Sequence, residues 1–152
     1  MLARFPSGFD WGTTRACVPG ATSEHHDGRA WDWGVDANNP KQLATAGQLL
    51  TWLTAVGPDG QPGYHARRLG IMYIIFNRHI WGQYRAAEGW RPLTGSSPHL
   101  DHVHFSFTWN GALKRTSFWK GRVFREDFGP CSPAPGQPTP PRTGPNFTPC
   151  PR

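Results

Sequence analysis

Five of the seven histidines fall in two short segments, Ser23-Glu24-His25-His26-Asp27 and Pro98-His99-Leu100-Asp101-His102-Val103-His104. Imidazole and carboxylate are the donors that a hydrolytic zinc takes, three from the protein with a fourth position left for water. His25, Asp32 and one histidine of the His102-x-His104 pair make up that count. Neutral imidazole and ionised carboxylate are the ligating forms, so metal affinity should fall in acid. A His-x-His pair is a weak signal alone. Its company, a second segment of histidine and aspartate, is what points to a metal centre.

Two strands are expected to carry these side chains. In Ala30-Trp31-Asp32-Trp33-Gly34-Val35, alternation puts Trp31, Trp33 and Val35 on one face and Ala30, Asp32 and Gly34 on the other. In His102 through Trp109, Val103, Phe105, Phe107 and Trp109 share one face, while His102, His104, Ser106 and Thr108 share the other. Each strand thus has an apolar side for a core and a small, polar side for ligands. A helix is predicted over 41–56, opened by Asn39 as N-cap and Pro40 at the first helical position and closed by Gly57-Pro58. Leu43, Ala46, Leu49, Leu50, Leu53 and Val56 recur along it at helical spacing. A shorter helix over Tyr64–Leu69 should stop at Gly70, and Ile71–Phe76 should turn through Asn77-Arg78-His79 into Ile80-Trp81 as a hairpin. The fold class is α+β: a small antiparallel sheet with helices packed on one face.

Composition sets the outer bounds. The 152 residues suit one domain, and eight Trp with nine Phe supply more buriable surface than a disordered chain carries. The longest apolar run, Ile71–Phe76, is far short of the ~20 residues of a spanning helix. Nine of the sixteen prolines lie between Pro130 and Pro151, so the domain is placed at 1–129 and a Pro/Gly-rich tail or linker at 130–152. The net charge is +6, but its arginines are scattered and form no run that would track nucleic acid. No phosphate-cradling loop is visible either, which argues against a nuclease. Cys17, Cys131 and Cys150 form no Cys-x-x-Cys pair, so the metal chemistry rests on histidine and aspartate. Cys131 can pair with Cys150 across the tail or with Cys17, and one thiol is left over either way. The N-terminus carries no apolar stretch of the kind a signal peptide has.

The residues from Ser23 to Asp32 resemble the Ser-x-His-x6-Asp signature of the LAS zinc peptidases. That group takes in D,D-peptidases of vancomycin resistance, phage L-alanyl-D-glutamate endolysins, the penicillin-insensitive murein endopeptidase and the Hedgehog signalling domain. Gly28 and Ala30 stand where the signature commonly has Gly and Ala, and His99-x2-His102-x-His104 resembles the murein endopeptidase's closing motif. Over residues 15–131 the chain looks most like a domain of secreted actinobacterial and fungal extracellular proteins. The resemblance implies a Hedgehog/D,D-peptidase-like fold, Zn2+ on His25, Asp32 and His104, and a secreted protein whose signal and upstream region precede this stretch. For the general base it leaves two candidates. Endolysins use a carboxylate three residues before the last ligand, here Asp101, whereas the murein endopeptidase pattern puts His102 in that role. Strand alternation favours His102, since it sets Asp101 on the opposite face.

Around this centre, His99 is a candidate for steadying the oxyanion or holding substrate. Arg15 and Arg29 are candidates for gripping a substrate carboxylate or carbonyl with a bidentate fork, although Arg29 alternates onto the tryptophan face. Ser23 is expected either to contact substrate or to support His25, and Asp36 to shape the coming turn. The function expected is a zinc metallopeptidase cleaving an amide bond in peptidoglycan stem peptides or crosslinks, acting as a monomer with peptidoglycan or its peptides as partner. The alternative is a zinc-containing, catalytically inert domain that binds cell wall or a protein. The positive charge suits an anionic wall in both.

Overall fold

The computed structural model describes residues 8–16 and 23–121. The tail at 130–152, the boundary at 129 and Cys17, Cys131 and Cys150 all lie outside the described residues. Along the chain, β1 (Phe9–Gly12) precedes a 3-10 turn over Glu24–Asp27 and β2 (Ala30–Gly34). Two helices follow, α1 (Pro40–Thr54) and α2 (Tyr64–Leu69), then the hairpin of β3 (Ile71–Phe76) and β4 (His79–Gly82). A 3-10 stretch over Gln83–Glu88 leads to β5 (Arg91–Pro92), β6 (His102–Phe107) and two single-turn helices, α3 (Trp109–Ala112) and α4 (Ser117–Lys120). The six strands form one antiparallel sheet in the order β1-β2-β6-β3-β4-β5, so the α+β class is realised.

Local chemistry accounts for the element ends. The Asn39 side chain accepts from the backbone N–H of Lys41 and Gln42, as an N-cap should, with Pro40 just inside. Asp36 takes the Asn38 N–H in a turn before that cap. α1 ends at Thr54, two residues short of the predicted 56, because Ala55 leaves helical geometry. The N–H groups of Gly63 and Tyr64 then take the carbonyls of Thr54 and Ala55. Val56 is consequently exposed, and of the expected apolar stripe only Ala46, Leu49, Leu50 and Leu53 are buried. α2 stops at Gly70 as its sequence predicts. Gly70 sits at φ 74°, and a Cβ there would lie 2.6 Å from the Gly111 Cα, so α3 docks against a backbone that tolerates no side chain.

The sheet separates two apolar layers. On one face Trp33, Val35, Ile74, Phe76, Val103 and Phe105 pack against α1 and α2 through Leu49, Leu53 and Ala66. On the other, Met72, Tyr73, Ile75 and Ile80 form a smaller cluster with Tyr84 and Leu93. A bulge between Ile71 and Tyr73 lets Met72 and Tyr73 both lie on this second face. Trp109 does not continue β6 as its alternation suggests. Thr108 accepts from the Gly111 N–H and caps α3, so Trp109 opens a helix instead.

The β3–β4 turn has only two central residues, Asn77 and Arg78, at φ 45° and 62°. Positive φ at both positions is the demand of a type I′ turn, for which Asn-Gly is the favoured pair. Arg78 carries a Cβ in that conformation, which costs it ~1–2 kcal/mol relative to Gly. Arg78→Gly is therefore expected to raise stability by ~0.5–1 kcal/mol, read as a higher urea midpoint with an unchanged slope; a lower midpoint would contradict this account.

Candidate metal centre

Register brings the ligands together. In the β2–β6 pairing Asp32 stands directly opposite His104, Gly34 opposite His102 and Ala30 opposite Ser106. In the β6–β3 pairing His104 is opposite Ile75 and Ser106 opposite Tyr73. Partners across a strand pair share a face, so Asp32 and His104 form one row and Ser106 and Tyr73 the next. His25 arrives from outside the sheet on the 3-10 turn. Ser23 caps that turn with its hydroxyl on the His25 N–H, and Gly28 ends it at φ 75° before the chain enters β2. Ser23 therefore supports His25, the second of its two expected roles.

The three side chains converge while almost wholly buried. His104 Nδ1 lies 2.9 Å and His25 Nε2 3.2 Å from Asp32 Oδ1, with 3.3 Å between the two nitrogens. Four donors around a tetrahedral ion with bonds of ~2.0–2.1 Å stand ~3.3 Å apart, so the trio has the separations that such an ion requires. The back of each imidazole is occupied too. His25 Nδ1 lies 3.1 Å from the Thr13 carbonyl, which takes its N–H and leaves Nε2 facing the cluster. His104 Nε2 contacts the Ser106 hydroxyl at 3.1 Å, leaving Nδ1 inward. Buried His and Asp here can hold a metal ion.

Electrostatics favours the ionised carboxylate. Burial pushes the Asp32 carboxyl up, yet hydrogen bonds and charge from His104 and His25 hold it well below the usual carboxylate range. Arg15 also hydrogen-bonds Asp32, through Oδ2, although its side chain stays 59% exposed.

At the rim, His102 Nε2 lies 3.6 Å from Asp32 Oδ1, and its Nδ1 lies 2.8 Å from Asp101 Oδ1. Asp101 precedes β6, so strand alternation does not govern it. Instead of lying on the far face it reaches the back of the His102 ring. His102 holds the Asp101 carboxyl below its ordinary range against a rise from burial. His99, held at φ 48°, packs its ring 4.7 Å from His102 and 5.8 Å from His104. Burial, with the charges of His104 and His102, pushes the His99 imidazole down to about 4 despite the Ser97 carbonyl on its Nδ1, so it is neutral at pH 7. His99, His102 and His104 form a second group within metal-binding reach.

Arg29 is not at the site mouth. It is buried, its Nη1 donates to the Phe107 carbonyl at 2.9 Å, and its guanidinium lies 4.9 Å from the Trp109 ring. Its place is in the packing between β6 and α3. Two residues escape the sequence reading. Glu24 is buried behind His104, where it accepts from Tyr73 and Ser106, and Trp11 of β1 lays its ring 5.3 Å from His102. Only the position of Glu24 beside His25 in the sequence hinted at the first.

Residues 1–104 match the family described as VldE, C-terminal domain, which is more than half of the chain. The chain belongs to this family. The matched stretch takes in His25, Asp32, His99, His102 and His104, every member of both groups. No curated protein and no solved structure gives a significant match.

The two groups make separable demands because they share only His104. The anionic, more buried trio should dominate. His25→Ala and His104→Ala are each expected to weaken metal binding by more than the ~10–100-fold that loss of an outer partner costs. His99→Ala should change it less than about threefold. Competition with a chromophoric chelator at pH 7.5 measures all three, and a reversed order of His25 and His99 would assign the ion to the rim group.

Proposed function

We propose that this chain is a zinc-dependent metallopeptidase that hydrolyses an amide bond in peptidoglycan stem peptides or crosslinks. The observation that carries the reading is the pairing of a buried three-donor group at tetrahedral separations with a carboxylate-backed imidazole, His102, 3.6 Å from its Asp32 oxygen. His25 Nε2, Asp32 Oδ1 and His104 Nδ1 would hold the ion. Two imidazoles and one carboxylate are a donor set that zinc takes in hydrolases with an open position. Zinc, when bound, supplies Lewis acidity that polarises the scissile carbonyl and eases deprotonation of water.

The remaining roles belong to the chain. Asp101 accepts the Nδ1–H of His102 and so leaves the Nε2 lone pair directed towards the ligand trio. That is the arrangement of a general base, which takes a proton at Nε2 during attack and returns it to the departing amine. On this reading Asp101 and His102 are one device: the carboxylate orients the ring and stabilises it once charged. His99, neutral at pH 7 and in contact with the His102 ring, gives its one N–H to the Ser97 carbonyl, so its Nε2 is placed to hold substrate by accepting from a substrate N–H or O–H. Arg15, anchored on Asp32 yet exposed, has N–H groups available for a substrate carboxylate. The resemblance to LAS zinc peptidases selects peptidoglycan, and with it a secreted protein. The net charge of +6 agrees with an anionic polymer as substrate.

A digest of purified muropeptides, followed by mass spectrometry with and without chelator, tests the proposal. A mass change that requires zinc is expected. His102→Ala should lower turnover by ~10²–10⁴-fold with metal affinity nearly unchanged, and Asp101→Asn should lower it by less. Stoichiometric zinc with no muropeptide converted would sink the peptidase reading and leave a metal-bearing binding domain.

A further inference from the structure

Behind His104 runs a short chain of hydrogen bonds with no obvious part in folding. His104 Nε2 lies 3.1 Å from Ser106 Oγ, Ser106 donates its hydroxyl to Glu24 Oε2 at 3.2 Å, and Tyr73 donates to the same oxygen at 2.5 Å. Glu24 is 3% exposed and Ser106 is fully buried. One turn of 3-10 helix therefore supplies His25 to the front of the cluster and Glu24 to the back of His104.

With Glu24 as a carboxylate, one arrangement of protons along this chain satisfies every group. A carboxylate oxygen only accepts, so both hydroxyls spend their protons on Glu24. A serine hydroxyl has one proton, so Ser106 Oγ can meet His104 only as an acceptor. His104 must then carry hydrogen on Nε2, and in its neutral form it presents a bare Nδ1 to Asp32 and His25. We propose that Glu24 is a positioning residue for the metal centre: acting through Ser106, it sets the His104 tautomer that ligates through Nδ1. This rests on the metal reading of the His25–Asp32–His104 trio and goes beyond it by assigning which ring nitrogen binds and what decides it.

Glutamine at this position would undo the rule without emptying the space. An amide donates as well as accepts, so it can give a proton to Ser106 Oγ, and the serine can then donate to His104 Nε2. That leaves hydrogen on Nδ1, where the metal should sit. Glu24→Gln and Ser106→Ala are each expected to weaken zinc binding ~10–100-fold, the usual cost of losing an outer-shell partner. Tyr73→Phe leaves the Ser106 link intact and should change affinity less than about threefold. Zinc affinity by chelator competition is one readout. The second is the tautomer of His104 in the metal-free proteins, from long-range ¹H–¹⁵N correlations of the imidazoles.

A merely structural Glu24 would show the opposite pattern: a lower melting temperature of the metal-free variant, with unchanged zinc affinity and the Nε2–H form retained. If Glu24→Gln does not fold, Ser106→Ala decides by the same two measurements. Wild-type zinc binding within threefold in both variants overturns the role of Glu24 and leaves the metal centre standing. A wild-type protein that binds no zinc at His25 and His104 overturns both.

Discussion

A carboxylate with no exposed surface sits in the middle of the β2–β6 pairing, and most of the local architecture follows from having to keep it there. Removing an ionised Asp from water costs several kcal/mol unless charge and hydrogen bonds replace the lost hydration. Asp32 is surrounded accordingly: Arg15 on one oxygen, with His25, His102 and His104 gathered around the other. The four groups come from four places in the chain, so the carboxylate ties the segment after β1, the 3-10 turn and the start and middle of β6 to β2. Its ionisation survives because His104 and His25 outweigh the burial that opposes it.

The second buried acid depends on the first by way of the sheet's pleat. Rows run across β2, β6 and β3 at right angles to the strands, and Asp32–His104 is next to Ala30–Ser106–Tyr73. Ala30 contributes only a methyl to its row. Tyr73 reaches this face by ordinary alternation with Ile75, and the bulge in β3 lies just before it. Ile74 and Phe76 belong to the helix-packed layer, and unbroken alternation would put Met72 there with them. Shifting the register at Met72 sends that residue to the opposite layer beside Tyr73, whose hydroxyl then meets Glu24. The regular part of the strand thus delivers a hydrogen bond to a residue 49 positions away, and the bulge adds Met72 to the layer beside it.

Much of this was legible in the residues because alternation is a strict rule with a physical cause. Val103 and Phe105 had to face a core, so His104 and Ser106 had to face away from it, and the same logic set Asp32 against Trp33. The helix over Tyr64–Leu69 and the hairpin were readable from Gly70 and from Asn77 in the same way. What resisted reading depended on atoms distant in sequence. β1 and β5 are short edge strands without strong patterns. The end of α1 is decided by loop N–H groups reaching back to its last carbonyls. Arg29, a charged residue between Gly28 and Ala30, gave no sign that it would be buried against Phe107 and Trp109.

The choice between Asp101 and His102 shows where a periodic rule stops being the right instrument. Alternation applies within β6, and β6 begins at His102. One residue earlier the chain is bending, and the Val35 N–H holds the Asp101 carbonyl while its side chain is free to turn back. Placing the two residues on opposite faces extended the pleat past its end. On the proposed peptidase reading, releasing Asp101 from the strand turns the two candidates for the base into partners. A carboxylate 2.8 Å from one ring nitrogen does not compete with that ring for a proton arriving at the other. It orients the ring from the solvent side, where its own charge costs little to maintain. The buried acid and the exposed acid are both kept ionised by imidazoles: Asp32 by His104 and His25, and Asp101 chiefly by His102 at its exposed position.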